Sequence, residues 1–221
     1  MIKGKKILAI IPAKKNSRRL PGKNMKILID KPLLQYTIET AKKSRFIDSI
    51  LCSTDDEKIL NFSKKHGCNY VVLRDSSLTR DDVNIFHVVK KLKKFTDEYD
   101  YVVILQPTSP LRNADDIDNT IKLCHKSTAV YATTVSKLEI NPFCILKKKQ
   151  NKFKPILDKI KRRSKEEFYI INGAVYVLKK DALNFKGNFN TVYHEMPIDR
   201  SIDIDNIKDF NYAKILFKIK K

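Results

Sequence analysis

Two five-residue runs, Ile7-Leu-Ala-Ile-Ile11 and Tyr101-Val-Val-Ile-Leu105, contain no charged side chain and no polar alternation. A strand with one wet face alternates, so an unbroken apolar run of this length reads as a strand buried on both faces. Such strands sit in parallel sheets covered by helices on both sides, which commits the chain to an α/β layout. The intervening segments agree. Pro32 opens a helical pattern in PLLQYTIETAKKS, with Leu34, Ile38 and Ala41 on one face. Ser49 to Ser53 reads as a second strand ending at Thr54-Asp55, followed by a helix through Ile59 and Phe62 that stops at Gly67. Tyr70 to Leu73 is a third strand, and Phe86, Val89 and Leu92 mark the next helix. After Leu105 come the loop QPTSPLR, a helix from Ala114 whose Asp115 and Asp116 suit the positive end of its dipole, and a strand from Ala129 to Val135.

The pattern changes near residue 137. INPFCILKKKQNKFKPIL reads as a hairpin turning at Gln150-Asn151, and residues 137–170 are expected to form a small projecting lobe within a single domain spanning 1–221. Asn172-Gly173 reads as a tight turn before a strand from Ala174 to Leu178. The chain closes with SIDIDN, taken as a strand, and a helix through Ile207, Phe210 and Phe217.

In sheets of this kind ligands bind beyond the carboxyl ends of the strands, where the strand order reverses. The segment IPAKKNSRRLPGKN lies at one such end and carries five cations, Lys14, Lys15, Arg18, Arg19 and Lys23. Turn amides and basic side chains together make a concave anion site. The segment is not a G-x-x-x-x-G-K-[ST] loop. In SIDID, an extended backbone puts Asp203 and Asp205 on one face and Ile202 and Ile204 on the other. Two carboxylates beside a polyphosphate suit a divalent cation, since Mg²⁺ commonly takes one or two carboxylates plus phosphate oxygens. In LQPTSPLR two prolines fix the backbone, holding Gln106 and Arg112 at defined positions.

The formal charge of +20, from 45 Lys and Arg against 25 Asp and Glu, points to anionic partners. Lysines are spread along the whole chain, as on a solvated surface, and there is neither an aromatic stacking signature nor a helix-turn-helix to support nucleic-acid binding. Cys52, Cys68, Cys124 and Cys144 lie far apart without metal or disulfide spacing. The apolar start is interrupted by Pro12 and followed by Lys14 and Lys15, unlike a signal peptide, and no run approaches transmembrane length. A cytoplasmic protein is expected.

The order IPAKKNSRRLPGKN, KPLLQYTIE, STD at Ser53 to Asp55, LRDSSLTRD at Leu73 to Asp81, LQPTSPLR, NGAVYV and SIDID resembles the acylneuraminate cytidylyltransferases, or CMP-sialic acid synthetases, over nearly the whole chain. The resemblance implies a Rossmann-like α/β fold, Mg²⁺ dependence with Mn²⁺ as a substitute, and a homodimer in which the small lobe reaches across to its partner. It implies transfer of CMP from CTP to the anomeric hydroxyl of a nine-carbon acidic sugar of sialic, legionaminic or pseudaminic type. By position, Lys14, Ser17, Lys23, Asn24, Arg74, Asp81 and Gln106 would bind the nucleotide. Gln106, Arg162, Asn172 and Tyr176 would face the sugar, and Asp203 and Asp205 would hold the metal. Lys14 and Lys23 join the two aspartates as the groups expected to act on the reacting phosphates.

The chain departs from the family pattern at several points. Lys14 stands for an arginine, Lys15-Asn16-Ser17-Arg18-Arg19 for G-x-S-K-G, Arg74-Asp75 for Arg-Pro, and Glu166 for a proline. Lysine keeps the charge of arginine but loses its bidentate fork. The alternatives are an eight-carbon, Kdo-type sugar nucleotidyltransferase and, in a different class, a basic nucleic-acid-binding protein.

Overall fold

The computed structural model describes residues 2, 4–75, 85–156, 166–184 and 190–219. In chain order the elements are β1 (Ile7–Ala13), β2 (Ile27–Leu28), β3 (Lys31–Pro32), α1 (Leu33–Lys43), β4 (Ser49–Thr54), α2 (Glu57–Lys65) and β5 (Tyr70–Leu73). They continue with α3 (Ile85–Lys91), α4 (Lys93–Thr96), β6 (Tyr101–Ile104), α5 (Ala114–Lys126), β7 (Tyr131–Lys137), β8 (Leu146–Lys149), β9 (Lys152–Pro155), β10 (Tyr169–Lys179), β11 (Thr191–Glu195) and α6 (Ile207–Ile219).

Seven strands form one sheet in the order β11-β7-β10-β6-β1-β4-β5. Only β10 runs antiparallel to its neighbours; the pairs β1–β4, β1–β6, β4–β5 and β7–β11 are parallel. The fold is therefore Rossmann-like and mostly parallel. The apolar run of β1 divides between two cores as a doubly covered strand must: Ile7, Ala9 and Ile11 pack with α1, α2 and α5, while Leu8 and Ile10 pack with α3 on the other face. The chain builds outward from β1 through β4 to β5, then returns to place β6 on the other side of β1. The reversal lies between β1 and β6.

Local chemistry sets the element ends. Asp56 caps α2 by accepting from the Ile59 N–H at 3.0 Å. Asn113 and Asp116 form a reciprocal capping box at the start of α5. The β8–β9 hairpin turns at Gln150 and Asn151, whose φ angles of 47° and 40° are those of a two-residue turn matched to strand twist.

Two expectations give way. SIDID is not a strand: it pairs with no neighbour in the sheet and is fixed instead by the Ile204 N–H donating to the Thr108 carbonyl at 2.8 Å. The alternation still holds, with Ile204 fully buried and Asp203 exposed. Asn172-Gly173 is not a chain-reversing turn but an irregularity inside β10, where the register against β7 shifts between Ile171 and Tyr176 and Gly173 takes a φ of 73°. The edge strand β11 carried no expectation from sequence. No helix among the described residues is long and apolar enough to cross a membrane.

Candidate active site

The loops following β1, β4, β5 and β6 meet along one rim of the sheet. The Lys15 N–H donates to Asp55 Oδ1 at 2.7 Å, joining the basic loop to the end of β4, and the Arg74 N–H donates to the Thr54 carbonyl at 2.7 Å, joining the end of β5 to the same place. On the far side, Leu20 of the basic loop packs with Ile204 and with Phe210 of α6, so the basic loop and the SIDID loop share a small core of their own.

The basic loop is shaped by Asn24. Its side chain is buried, and Nδ2 donates to the Lys14 carbonyl at 2.7 Å. Lys23 donates to the Ile204 carbonyl at 3.0 Å and to Asp205 Oδ1 at 3.2 Å, while Arg19 Nη2 reaches Asp205 Oδ2 at 2.6 Å. Five cations on one loop are thus partly organised by the carboxylate facing them. Ser17 is half-buried on the same loop.

Beyond β6, Gln106 Nε2 donates to the Gly173 carbonyl at 3.4 Å. A Cβ at Gly173 would lie 3.4 Å from the Tyr176 hydroxyl, 3.5 Å from Gln106 Nε2 and 4.0 Å from Asp203 Oδ2. Gln106, Tyr176 and Asp203 therefore converge on the space that the missing side chain leaves. The Tyr176 hydroxyl is raised above the usual tyrosine range by burial and by the nearby Asp203 charge, with a hydrogen bond to Gln106 opposing. Asp203 has solvent access on one side but protein on most others, and this desolvation lifts its carboxyl above the usual carboxylate range. Asp205 adds to the rise, and the Thr108 hydroxyl and Lys23 oppose it. The Thr108 hydroxyl leans on Asp203 without reaching hydrogen-bond geometry with any described residue.

Beneath this cleft lies Arg112, 3% exposed. Its guanidinium donates to the Ala174 carbonyl at 2.7 Å, the Gln106 carbonyl at 3.3 Å and Thr37 Oγ1 at 3.1 Å, tying the QPTSPLR loop to β10 and α1. Burial pushes its pKa down to about 10, against the pull of Asp116. The loop's arginine is thus a buried brace. Asn172 is another: Oδ1 accepts from Thr134 Oγ1 at 2.6 Å and from the Ala174 N–H at 3.2 Å, and Nδ2 donates to Ser201 Oγ at 3.2 Å. These bonds hold the Asn172 amide in place at the bulge of β10. Arg74 is half-buried, its Nε meets no partner among the described residues, and burial lowers its pKa while Asp55 opposes. Asp81 and Arg162 lie outside the described residues.

Three features escaped the sequence. Arg19 seizes Asp205, Gly173 opens the space for three converging groups, and Arg200 grips the buried Asp116 through Nη2 at 2.7 Å and Nε at 3.2 Å just before SIDID begins. The spacing Arg200 to Asp203 was readable, but the partner, 84 residues away, was not.

A family model described as cytidylyltransferase matches residues 8–219. The chain belongs to the cytidylyltransferase family. Curated relatives of this cytidylyltransferase include CMP-N,N'-diacetyllegionaminic acid synthase of Legionella pneumophila, 32% identical over 98% of both chains. Pseudaminic acid cytidylyltransferase of Campylobacter jejuni is 31% identical over 97% of both. N-acylneuraminate cytidylyltransferase of Escherichia coli is 33% identical over 94% of this chain and 51% of its own length. A CMP:2-keto-3-deoxy-manno-octonic acid synthetase solved with CTP superposes with a TM-score of 0.78 at 17% identity, covering 98% of this chain and 100% of that one. At that identity the likeness is one of fold.

Proposed function

We propose that the protein transfers CMP from CTP to the anomeric hydroxyl of a nine-carbon acidic sugar of the sialic, legionaminic or pseudaminic type, releasing pyrophosphate. The observation that carries this reading is the convergence of Gln106, Tyr176 and Asp203 around Gly173, opposite the cationic loop at the reversal of strand order. The sugar class rests on the three relatives at 31–33% identity.

In this reading the sugar oxygen bonds to the α-phosphorus, the bond from that phosphorus to the bridging oxygen of the β-phosphate breaks, pyrophosphate leaves with the electron pair, and the hydroxyl proton passes to solvent water. Lys14, Ser17 and Lys23 hold the triphosphate, and Asn24 acts through its grip on the Lys14 carbonyl. Arg74 closes the nucleotide side, with Asp81 and Arg162 carried as further members of the site. Gln106 and Tyr176 orient the sugar, and Asn172 supports the bulge from which Tyr176 projects. The oxygen donors of the SIDID loop fit a hard divalent cation, with Asp203 free of any salt bridge among the described residues and Asp205 already shared with two cations. Asp203 and Asp205 would hold Mg²⁺ or Mn²⁺, whose charge when bound offsets that of the phosphate oxygens.

We also propose a homodimer built on residues 137–170 and the adjoining sheet. Ile171 and Tyr193, each more than half exposed, line one recess with Tyr169 and Val135, and Ile170 and Phe153 are exposed apolar side chains elsewhere on this part of the chain, surface that a second copy would cover. A cytoplasmic site of action follows from dependence on CTP.

The test is pyrophosphate release with Mg²⁺, each of the four nucleoside triphosphates, and N-acetylneuraminic, legionaminic, pseudaminic and Kdo acids. Release with CTP and one nine-carbon sugar supports the proposal. Release with Kdo alone moves it to the eight-carbon class, and no release from folded protein overturns it. Sedimentation velocity reads the dimer.

A further inference from the structure

We propose that Arg19 is a binding residue of the triphosphate site, and that its ion pair with Asp205 makes divalent-cation binding conditional on nucleotide. This rests on the cytidylyltransfer reading above.

Both oxygens of Asp205 are taken, Oδ2 by Arg19 at 2.6 Å and Oδ1 by Lys23 at 3.2 Å. Its backbone N–H is held by Asp209 Oδ2 at 2.8 Å, so the residue is fixed in place. Each carboxylate oxygen is therefore occupied by a cationic group, and a divalent cation approaching Asp205 must displace one of them. The two cations are not equivalent. The Lys23 side chain is 11% exposed and is also anchored on the Ile204 carbonyl. The Arg19 side chain is 67% exposed and reaches inward from the basic loop to this carboxylate. Arg19 is the member that can leave.

A guanidinium presents the same planar fork to phosphate as to carboxylate. Arriving triphosphate offers Arg19 several acceptor oxygens and more negative charge than Asp205 does. When Arg19 crosses to the phosphates, Asp205 Oδ2 is released at the moment when phosphate oxygens are present to complete a cation's coordination. Nucleotide and cation thus bind in support of one another, and by linkage each raises the other's affinity by the same factor.

The experiment measures Mn²⁺ binding from the free-ion paramagnetic resonance signal at low ionic strength, for wild type, Arg19→Ala and Asp205→Asn, with and without α,β-methylene CTP. Arg19 is exposed, so Arg19→Ala should melt like wild type. Without nucleotide, Arg19→Ala should bind Mn²⁺ about fivefold more tightly than wild type, the scale of one partly exposed ion pair. The gain in Mn²⁺ affinity caused by the analogue should shrink by a similar factor. Asp205→Asn should weaken Mn²⁺ binding in both conditions. If Arg19→Ala leaves nucleotide-free Mn²⁺ affinity unchanged while Asp205→Asn weakens it, the role of Arg19 is refuted and the metal reading stands. If Asp205→Asn has no effect, the metal reading at Asp205 fails and the inference fails with it.

Discussion

Asp203 and Asp205 stand two residues apart on one loop in opposite electrostatic settings. Asp205 is neutralised by Arg19 and Lys23, while Asp203 has no ion pair among the described residues and sits in a recess that raises its pKa. Fixing a charge where it is disfavoured serves binding rather than folding. Asp203→Asn should therefore lower kcat by about 100-fold or more, the scale of losing one electrostatic contact to a reacting phosphate. Its melting temperature should equal or exceed that of wild type. A drop in stability matching the drop in activity would show that Asp203 is structural.

The same displacement fixes the sign of a pH effect. The folded carboxyl of Asp203 holds its proton more strongly than the unfolded one, so its contribution to stability is present below the unfolded value and lost as pH rises through the raised folded value. Subtracting the unfolding free energy of Asp203→Asn from that of wild type should give a difference that declines as pH climbs above about 4, the ordinary aspartate value. If ionised Asp203 is the active form, as proposed, the acid limb of kcat/KM, which reports the free enzyme, should lie above that value in wild type. Equilibrium denaturation and pH–rate profiles on both proteins check the pair.

Much of this was legible from sequence because it depends on neighbours in the chain. The apolar runs became β1 and β6, the Gln150-Asn151 turn fell where the alternation broke, and Ile204 turned inward as its spacing required. What depends on distant partners was not legible. SIDID looks like a strand locally, but it pairs with no strand of the sheet, and one hydrogen bond from the Ile204 N–H to the Thr108 carbonyl stands in place of a ladder. Asn172-Gly173 has the composition of a turn, yet β10 continues through it because β7 pairs with the strand both before and after the bulge, and β6 joins it from Tyr176 onward. Arg112 gave no sign that it would be buried under the cleft, since its three acceptors are supplied by three separate segments.

Gly173→Ala tests the convergence directly. The new methyl group would sit at a φ of 73° and within 3.5 Å of both Tyr176 and Gln106. Backbone strain should cost about 1 kcal/mol of stability. The activity loss should be larger than that implies, because the methyl group occupies the space that Gln106, Tyr176 and Asp203 face. Calorimetry and steady-state kinetics on the same preparation separate the two, with KM for the sugar expected to rise most.

Asn24→Ala asks whether that residue acts on the nucleotide directly or through the loop. Its Nδ2 is spent on the Lys14 carbonyl in a buried setting, so the substitution should cost about 1 kcal/mol of stability, the net worth of one such bond. The loosened basic loop should raise KM for CTP several-fold and change kcat little. A fall in kcat with KM unchanged would place Asn24 against the reacting phosphate instead.

Arg200 supplies the remaining constraint on the SIDID loop. Its guanidinium holds both oxygens of Asp116, whose side chain is 2% exposed and also caps α5 through the Asn113 N–H. Removing Arg200 strands a buried carboxylate, and because the arginine is itself partly exposed the cost should be about 2 kcal/mol rather than that of a fully buried pair. Ser201 Oγ accepts from Asn172 immediately afterwards, so slackening at Arg200 passes along three residues to Asp203. Arg200→Ala should therefore lower kcat as well as stability, with Arg200→Lys restoring the charge but only one of the two contacts. If stability returns with lysine and kcat does not, Arg200 positions Asp203 through its bidentate geometry; if both return together, charge alone anchors the loop.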